Sequence, residues 1–172
     1  MIVPGRTFLR RLINLTVGIK YPHYFIRLNR ETLSDLQLWL TFLESYNGRS
    51  FFLDYIWLSS AKLHLYTDAA GSLGYGAVFG SHWFFGKWPN SWLGKNIILE
   101  MFPIVISISL RASQLANKCI LFHTDNQGLV EVIHKKTTKD KNLLVLLREL
   151  VLQCLKHNGC VFTSAFFRSL SE

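Results

Sequence analysis

The chain opens on a helical pattern. Between positions 6 and 17 (RTFLRRLINLTV), Phe8, Leu9, Leu12, Ile13 and Leu15 recur at a rough 3.6-residue period, with the arginines on the opposite side. Gly18 is the expected stop. Positions 21–28 contain Pro22 and read as extended. A second helix is predicted from about Asn29 to Tyr46, with Leu36, Trp39, Leu40 and Leu43 on one face packed into a core and Asn47-Gly48 ending it. The aromatic and apolar run over 49–60 closes on Ser59-Ser60, and there the period drops from helical to two. That change predicts a domain boundary, with a small helical segment over 1–60 and an α/β domain over 61–172.

From Lys62 the alternation of Leu63, Leu65 and Thr67 predicts a strand over 62–68 that ends on Asp68. Two more strands follow, 75–79 and 82–85, with Gly80-Ser81 as a tight turn, which makes an antiparallel meander of three. Trp83, Trp88 and Trp92 read as core or rim aromatics, with base stacking as the alternative. A helix is expected over 97–115. Because proline is tolerated without penalty only in a first helical turn, Pro103 suggests that regular helix starts near Glu100 or kinks there. The apolar run CILFHT (119–124) predicts a strand ending in Asp125, and Asn126 is a good N-cap for a helix from Gln127 to about Lys135. A loop crowded with Lys135, Lys136, Lys139 and Lys141 leads to a long helix, 141–157, and Asn158-Gly159 turns into a last strand from Cys160 to about Ala165. The order predicts a mixed α/β sheet with helices packed on its faces.

Composition narrows the picture. The chain has 172 residues, 49% hydrophobic and only 17% charged, so it should fold around one core or one domain with a smaller annex. Nineteen Lys and Arg against 11 Asp and Glu give a net charge of +8, which favours an anionic partner, nucleic acid before a membrane surface. Cys119, Cys154 and Cys160 are odd in number and lack CxxC spacing, so neither a disulfide framework, a disulfide-linked partner nor a zinc site is expected. The arginines at 6, 10 and 11 break any secretory leader, and the longest apolar stretch, 97–110, is interrupted by Glu100 and Pro103. The expectation is an intracellular protein of cytoplasm or nucleus, neither secreted nor held in a membrane.

The candidate chemistry lies in three acids. Asp68 ends one predicted strand, and the small residues after it (Ala69, Ala70, Gly71, Gly74, Gly76) leave room for a metal or phosphate, or simply for an Asx-type turn. Glu100 opens a helix and Asp125 ends another strand. If the two strands are neighbours and the helix packs beside them, three carboxylates converge on one end of the sheet. Such repelling charges are expensive to bury unless a hard cation such as Mg²⁺ joins them. Two ions about 4 Å apart can activate water and stabilise the leaving oxygen of a phosphodiester. No nucleophile-elbow pattern competes.

These residues carry a resemblance. YTDAAG, GYGAVF, ILEMFPIV and LFHTDNQGLVEVI, over roughly 61–165, resemble the ribonuclease H domain of retrotransposon reverse transcriptases, above all those of DIRS-type elements. RTFLRRLINLT and IRLNRETLSDLQLWLTFLESYNG resemble the linker segment that precedes that domain. The resemblance implies a ribonuclease H-like mixed sheet and a catalytic, metal-binding set of Asp68, Glu100 and Asp125. It also implies Mg²⁺ (or Mn²⁺) as cofactor, and an RNA–DNA hybrid whose RNA strand is cut. A hybrid is read mostly through phosphates and 2′-hydroxyls. Lys135, Lys136, Lys139 and Lys141 fall where relatives carry a basic handle, the alternative being a solvated turn. Asn126 is a candidate nucleic-acid contact as well as a helix cap, and His123 reads as packed or hydrogen-bonded rather than catalytic.

The sequence also departs from that family. The family has a loop histidine and a fourth acid on a C-terminal helix, whereas here the matching stretch reads Phe166-Phe167-Arg168-Ser169 before Glu172. The expectation is therefore a truncated C-terminal helix, a poorly held second metal and low or absent turnover. The alternatives are a catalytically inactive nucleic-acid-binding module and a structural remnant of a retroelement polyprotein.

Overall fold

A computed structural model describes residues 5–45, 57–92, 94 and 96–165. The chain divides into two compact units, Met1–Phe52 and Leu53–Glu172. In the first, helix α1 (Arg6–Thr16) packs on helix α2 (Arg30–Ser45). Asn29 caps α2, its side-chain oxygen accepting from the backbone N–H of Thr32 at 2.8 Å, and Gly18 (φ +88°) follows α1 in the left-handed region. The seam between the helices is more polar than the apolar period suggests. Asp35 is fully buried with Arg11 Nη1 3.6 Å away, and Thr7 and Thr32 are buried beside it. The face expected to form a core is correspondingly exposed: Leu36, Leu40 and Leu43 all lie open to solvent. Half-buried Arg11 lies beside the buried Asp35, so this part of α2 turns a charged residue inward while three leucines stay outside, and a buried carboxylate needs such company.

The second unit is a mixed α/β arrangement. Its strands are β1 (Trp57–Ser59), β2 (Leu65–Ala70), β3 (Gly74–Phe79), β4 (His82–Gly86), β5 (Cys119–Thr124) and β6 (Cys160–Ala165). Its helices are α3 (Asn96–Arg111), α4 (Gln127–Lys135) and α5 (Lys141–Lys156), with a 3-10 turn at Asn90–Trp92. Among the described residues the strands form two three-stranded sheets instead of one continuous sheet. β2-β3-β4 is antiparallel, and β1-β5-β6 is parallel with β5 in the centre.

The division comes from a turn the periodicity hid. Residues 61–64 do not extend the strand of Asp68. His64 takes φ +51°, Leu65 N–H donates to Ser60 O at 2.9 Å, and β2 starts only at Leu65. The short β1 before that turn takes the place beside β5, Trp57 to Ser59 pairing with Cys119 to Leu121. The 49–60 run thus contributes a strand to the second unit, and the boundary falls before it. Further on, the meander forms as expected, with Phe79 opposite His82 and Gly80 at φ +59° in the first central position of the two-residue turn.

Helix α3 begins at Asn96 and runs through Pro103, so the proline sits well inside it. A mid-helix proline costs about 3 kcal/mol. Burying Ile98, Leu99, Met101, Ile104, Val105 and Ile108 contributes roughly 1.5–3 kcal/mol each and outweighs that penalty. α3 packs on β2, β3 and α5, and α4 and α5 lie against β6. The core between them is closed by Leu129, Ile133, Leu147, Leu150, Ile120 and Val161. Asp140 caps α5, accepting from the N–H groups of Asn142 and Leu143 at 2.8 and 3.0 Å. The stretch 166–172, where the truncated C-terminal helix is expected, lies outside the described residues. No described helix is long and apolar enough to cross a membrane, and the three cysteines are free thiols.

Candidate functional site

Two of the three acids come from elements that meet. β5 ends at Thr124, Asp125 follows, and Asn126 starts α4, as its pattern predicts. Glu100, on the first half of α3, reaches this junction. Thr124 Oγ1 donates to Glu100 Oε2 at 2.9 Å, and Asn126 Nδ2 donates to Glu100 Oε1 at 3.1 Å. Asn126 meanwhile caps α4, its Oδ1 accepting from Leu129 N–H at 3.1 Å, and its own N–H donates to Thr124 Oγ1 at 3.1 Å. The carboxylate of Glu100 is therefore the acceptor that ties a helix, a strand end and a helix start into one polar knot. Asp125 is exposed at its edge.

Asp68 does not join them. It lies inside β2, opposite Gly76, and its Oδ1 accepts from the adjacent Ala69 N–H at 2.9 Å. Side chains alternate across a pleated strand. One face of the antiparallel sheet carries Leu65, Thr67 and Ala69 with Tyr75, Ala77, Phe79 and Phe84. It is the face α3 covers: the ring of Phe102 on α3 lies 4.8 Å from that of Tyr75, and Leu65 and Ala77 are buried. Asp68 belongs to the other face, with Tyr66, Gly76, Val78, Trp83 and Phe85, and is exposed. Glu100 and Asp68 thus sit on opposite sides of this sheet. Among the described residues no three of His, Cys, Asp and Glu come together in a way that could hold a metal ion. As arranged, Asp68, Glu100 and Asp125 do not fit a shared Mg²⁺, and the expected convergence at one corner of the sheet is not found.

The lysine cluster separates in the same way. Lys136 is buried, with φ +51° as the left-handed C-cap of α4, and its Nζ donates to Val161 O of β6 at 3.0 Å while lying 5.2 Å from the centre of the Phe162 ring. Burial pushes its pKa down, with the thiols of Cys160 and Cys154 opposing. A side chain so engaged cannot reach a phosphate, so this member of the expected handle is structural. Lys135 pairs with Glu131 one turn earlier at 2.6 Å, and that hydrogen bond and charge hold the Glu131 carboxyl below its usual range. Lys139 and Lys141 are exposed on either side of Asp140, as is the ion-paired Lys135. His123 lies 2.8 Å from Ser164 Oγ across the β5–β6 pair, hydrogen-bonded as expected.

The tryptophans divide too. Trp88 is buried, its Nε1–H donating to Ala70 O at 2.8 Å, and it forms one cluster with Tyr75, Trp92 and Phe102. Trp83 stands on the open face of the sheet beside Phe85. No motif marks Thr124 as the donor to Glu100; its place one residue before a strand-end acid is the signal that points to it.

No protein-family model matches the chain, and no curated protein is significantly similar to it.

Proposed function

We propose that residues 61–165 are a ribonuclease H-like module of retroelement descent that engages RNA–DNA hybrids and whose cleavage of the RNA strand is weak or lost. The single observation carrying this reading is the polar knot at the end of β5, which brings Glu100 of α3 beside the Thr124-Asp125-Asn126 turn. These are two of the three acid-bearing segments that the resemblance requires, and they meet although they lie 24 to 26 residues apart in sequence. The net charge of +8 and the exposed Lys139 and Lys141 suit a phosphate backbone.

Binding without cleavage is the second reading, and the side of the sheet on which Asp68 stands favours it. Mg²⁺ needs ligands within about 2.0–2.1 Å, and carboxylates separated by a sheet do not supply them together. The test is a hybrid with a labelled RNA strand, incubated with Mg²⁺ or Mn²⁺ and compared with the Asp68→Asn variant. Metal-dependent cleavage that disappears in the variant supports the nuclease arm. Salt-sensitive hybrid binding with no cleavage in either protein supports the binding arm. A chain that neither binds nor cuts the hybrid overturns the proposal.

A further inference from the structure

The face of the antiparallel sheet turned away from α3 is unusually aromatic. Three register rows build it: Tyr66–Val78–Trp83, Asp68–Gly76–Phe85 and Ala70–Gly74. Trp83 is 69% exposed and Phe85 75%, with Tyr66 at 55% and Val78 at 43%. The rings of Trp83 and Phe85 are stacked, 5.7 Å apart and 18° from parallel. Scattered apolar residues on a surface are ordinary, but four that are strand neighbours form a contiguous patch of the kind that marks an interaction site. Gly76 adds no side chain between Asp68 and Phe85, so the middle of the patch is a flat floor.

We propose that this face binds single-stranded nucleic acid by stacking unpaired bases on Trp83, Phe85 and Tyr66. Every base has a π-face, so an aromatic platform accepts any sequence. In a duplex or hybrid the bases are stacked on one another and offer this platform nothing, so the site differs in substrate from the hybrid reading and does not rest on it. Two exposed cations flank the rows. Lys62 precedes β2 at the end marked by Leu65, Phe79 and His82, and Lys87 follows β4 at the opposite end, beside Gly74. They are placed to meet phosphates of a strand running the length of the sheet.

Asp68 decides between a nucleic acid and a second copy of the chain. A dry, two-fold contact through this face would bury one Asp68 carboxylate from each copy, and among the described residues that carboxylate accepts only from the N–H of its own neighbour Ala69. A single strand lying along the β4 side leaves Asp68 in water.

The test is fluorescence anisotropy of the full chain with labelled oligothymidine and with the same strand paired to oligoriboadenosine. Trp83→Ala and Phe85→Ala are each expected to weaken single-strand binding about ten-fold while hybrid affinity changes by less than about two-fold. Trp83→Tyr restores binding and Trp83→Leu does not, because stacking and not apolar area is the attraction. Asp68→Asn leaves single-strand binding intact or tightens it, whereas a loss of hybrid cleavage in that variant concerns only the nuclease arm above. Unchanged single-strand affinity in both alanine variants overturns the proposal. So does equal rescue by leucine, and so does a dimer that Trp83→Ala converts to monomer, which would give the face to a second copy.

Discussion

The two sheets of the second unit treat apolar residues differently. The parallel sheet is packed against α4 and α5. In its central strand Cys119, Ile120 and Phe122 are buried and Leu121 is half-buried, so successive residues are apolar whichever face they occupy. The antiparallel sheet hides Leu65 and Ala77 under α3 and leaves Tyr66, Val78, Trp83 and Phe85 in water. Parallel strands need crossover helices that cover their faces, while a meander of hairpins does not. An apolar side chain in the central strand of the first sheet is there to fill the core, although Trp57 on its edge strand is exposed. One on the outer face of the second is available for binding. The largest expected effect follows from this contrast. Ile120→Ala should lower unfolding stability by about 2–5 kcal/mol through lost burial and the cavity left behind. Trp83→Ala should change it by less than about 0.5 kcal/mol, as exposed positions do. Urea denaturation of both variants measures the pair, and similar losses would dissolve the distinction.

The same contrast explains what the sequence reveals. In the parallel half β5, α4, α5 and β6 are legible almost to the residue, whereas the edge strand β1 is not. CILFHT, the Asn126 cap and the long leucine-rich helix each depend on local pattern and local capping, and each forms where expected. The antiparallel half is legible as elements but not as faces. Leu63, Leu65 and Thr67 suggest one strand from Lys62, yet His64 turns the chain and the strand begins at Leu65. Which way Asp68 points depends on what α3 covers, and no short-range signal states that. A carboxylate's strand can be read from alternation, but the side it faces is set by tertiary packing, and the whole metal-site expectation depended on that side. In the first unit, likewise, Asp35 is buried beside half-buried Arg11 while its neighbour Leu36 on the apolar stripe is exposed.

Lys136 and the thiols around it give the next effect, and they sharpen the claim that the parallel half is sealed. Burial pushes Cys154 up to about 11 and Cys160 up to about 12 from an ordinary 9.0, raises Cys119 in the same direction, and lowers Lys136 from 10.5. The signs are opposite in effect. Below pH 10.5 the unfolded lysine holds a proton that the folded one gives up more readily, so Lys136 makes stability rise with pH. Above pH 9 the unfolded thiols lose protons that the folded ones keep, so Cys154 and Cys160 make stability fall by about 1–2 kcal/mol per thiol towards pH 10.5. Stability should therefore fall above pH 9, where two thiols outweigh one lysine. Replacing both cysteines with alanine should remove most of the downturn, leaving only the smaller share of Cys119. Denaturation midpoints from pH 7 to pH 10.5 read this directly, and a flat profile in the parent chain would mean that water reaches the cluster.

The polar knot lies where the two halves are joined, since α3 packs on the antiparallel sheet while its Glu100 bonds to the end of β5. Asn126→Ala removes both the cap on Leu129 N–H and one donor to Glu100, and should cost about 1–2 kcal/mol. Thr124→Val removes only the hydroxyl bond to Glu100 and the acceptor for Asn126 N–H, and should cost about 1 kcal/mol. Asn126→Asp separates the two duties. Aspartate keeps the cap but has no amide donor, and it sets a second carboxylate against Glu100, so the helix start survives while the knot is broken by repulsion. If added Mg²⁺ or Mn²⁺ restores stability selectively to Asn126→Asp, an ion can bridge Glu100 and its new neighbour, and the β5 end is a latent cation site lacking only a partner. If metal does nothing, Glu100 belongs to the architecture of the junction, and the binding arm of the proposed function is the one to pursue.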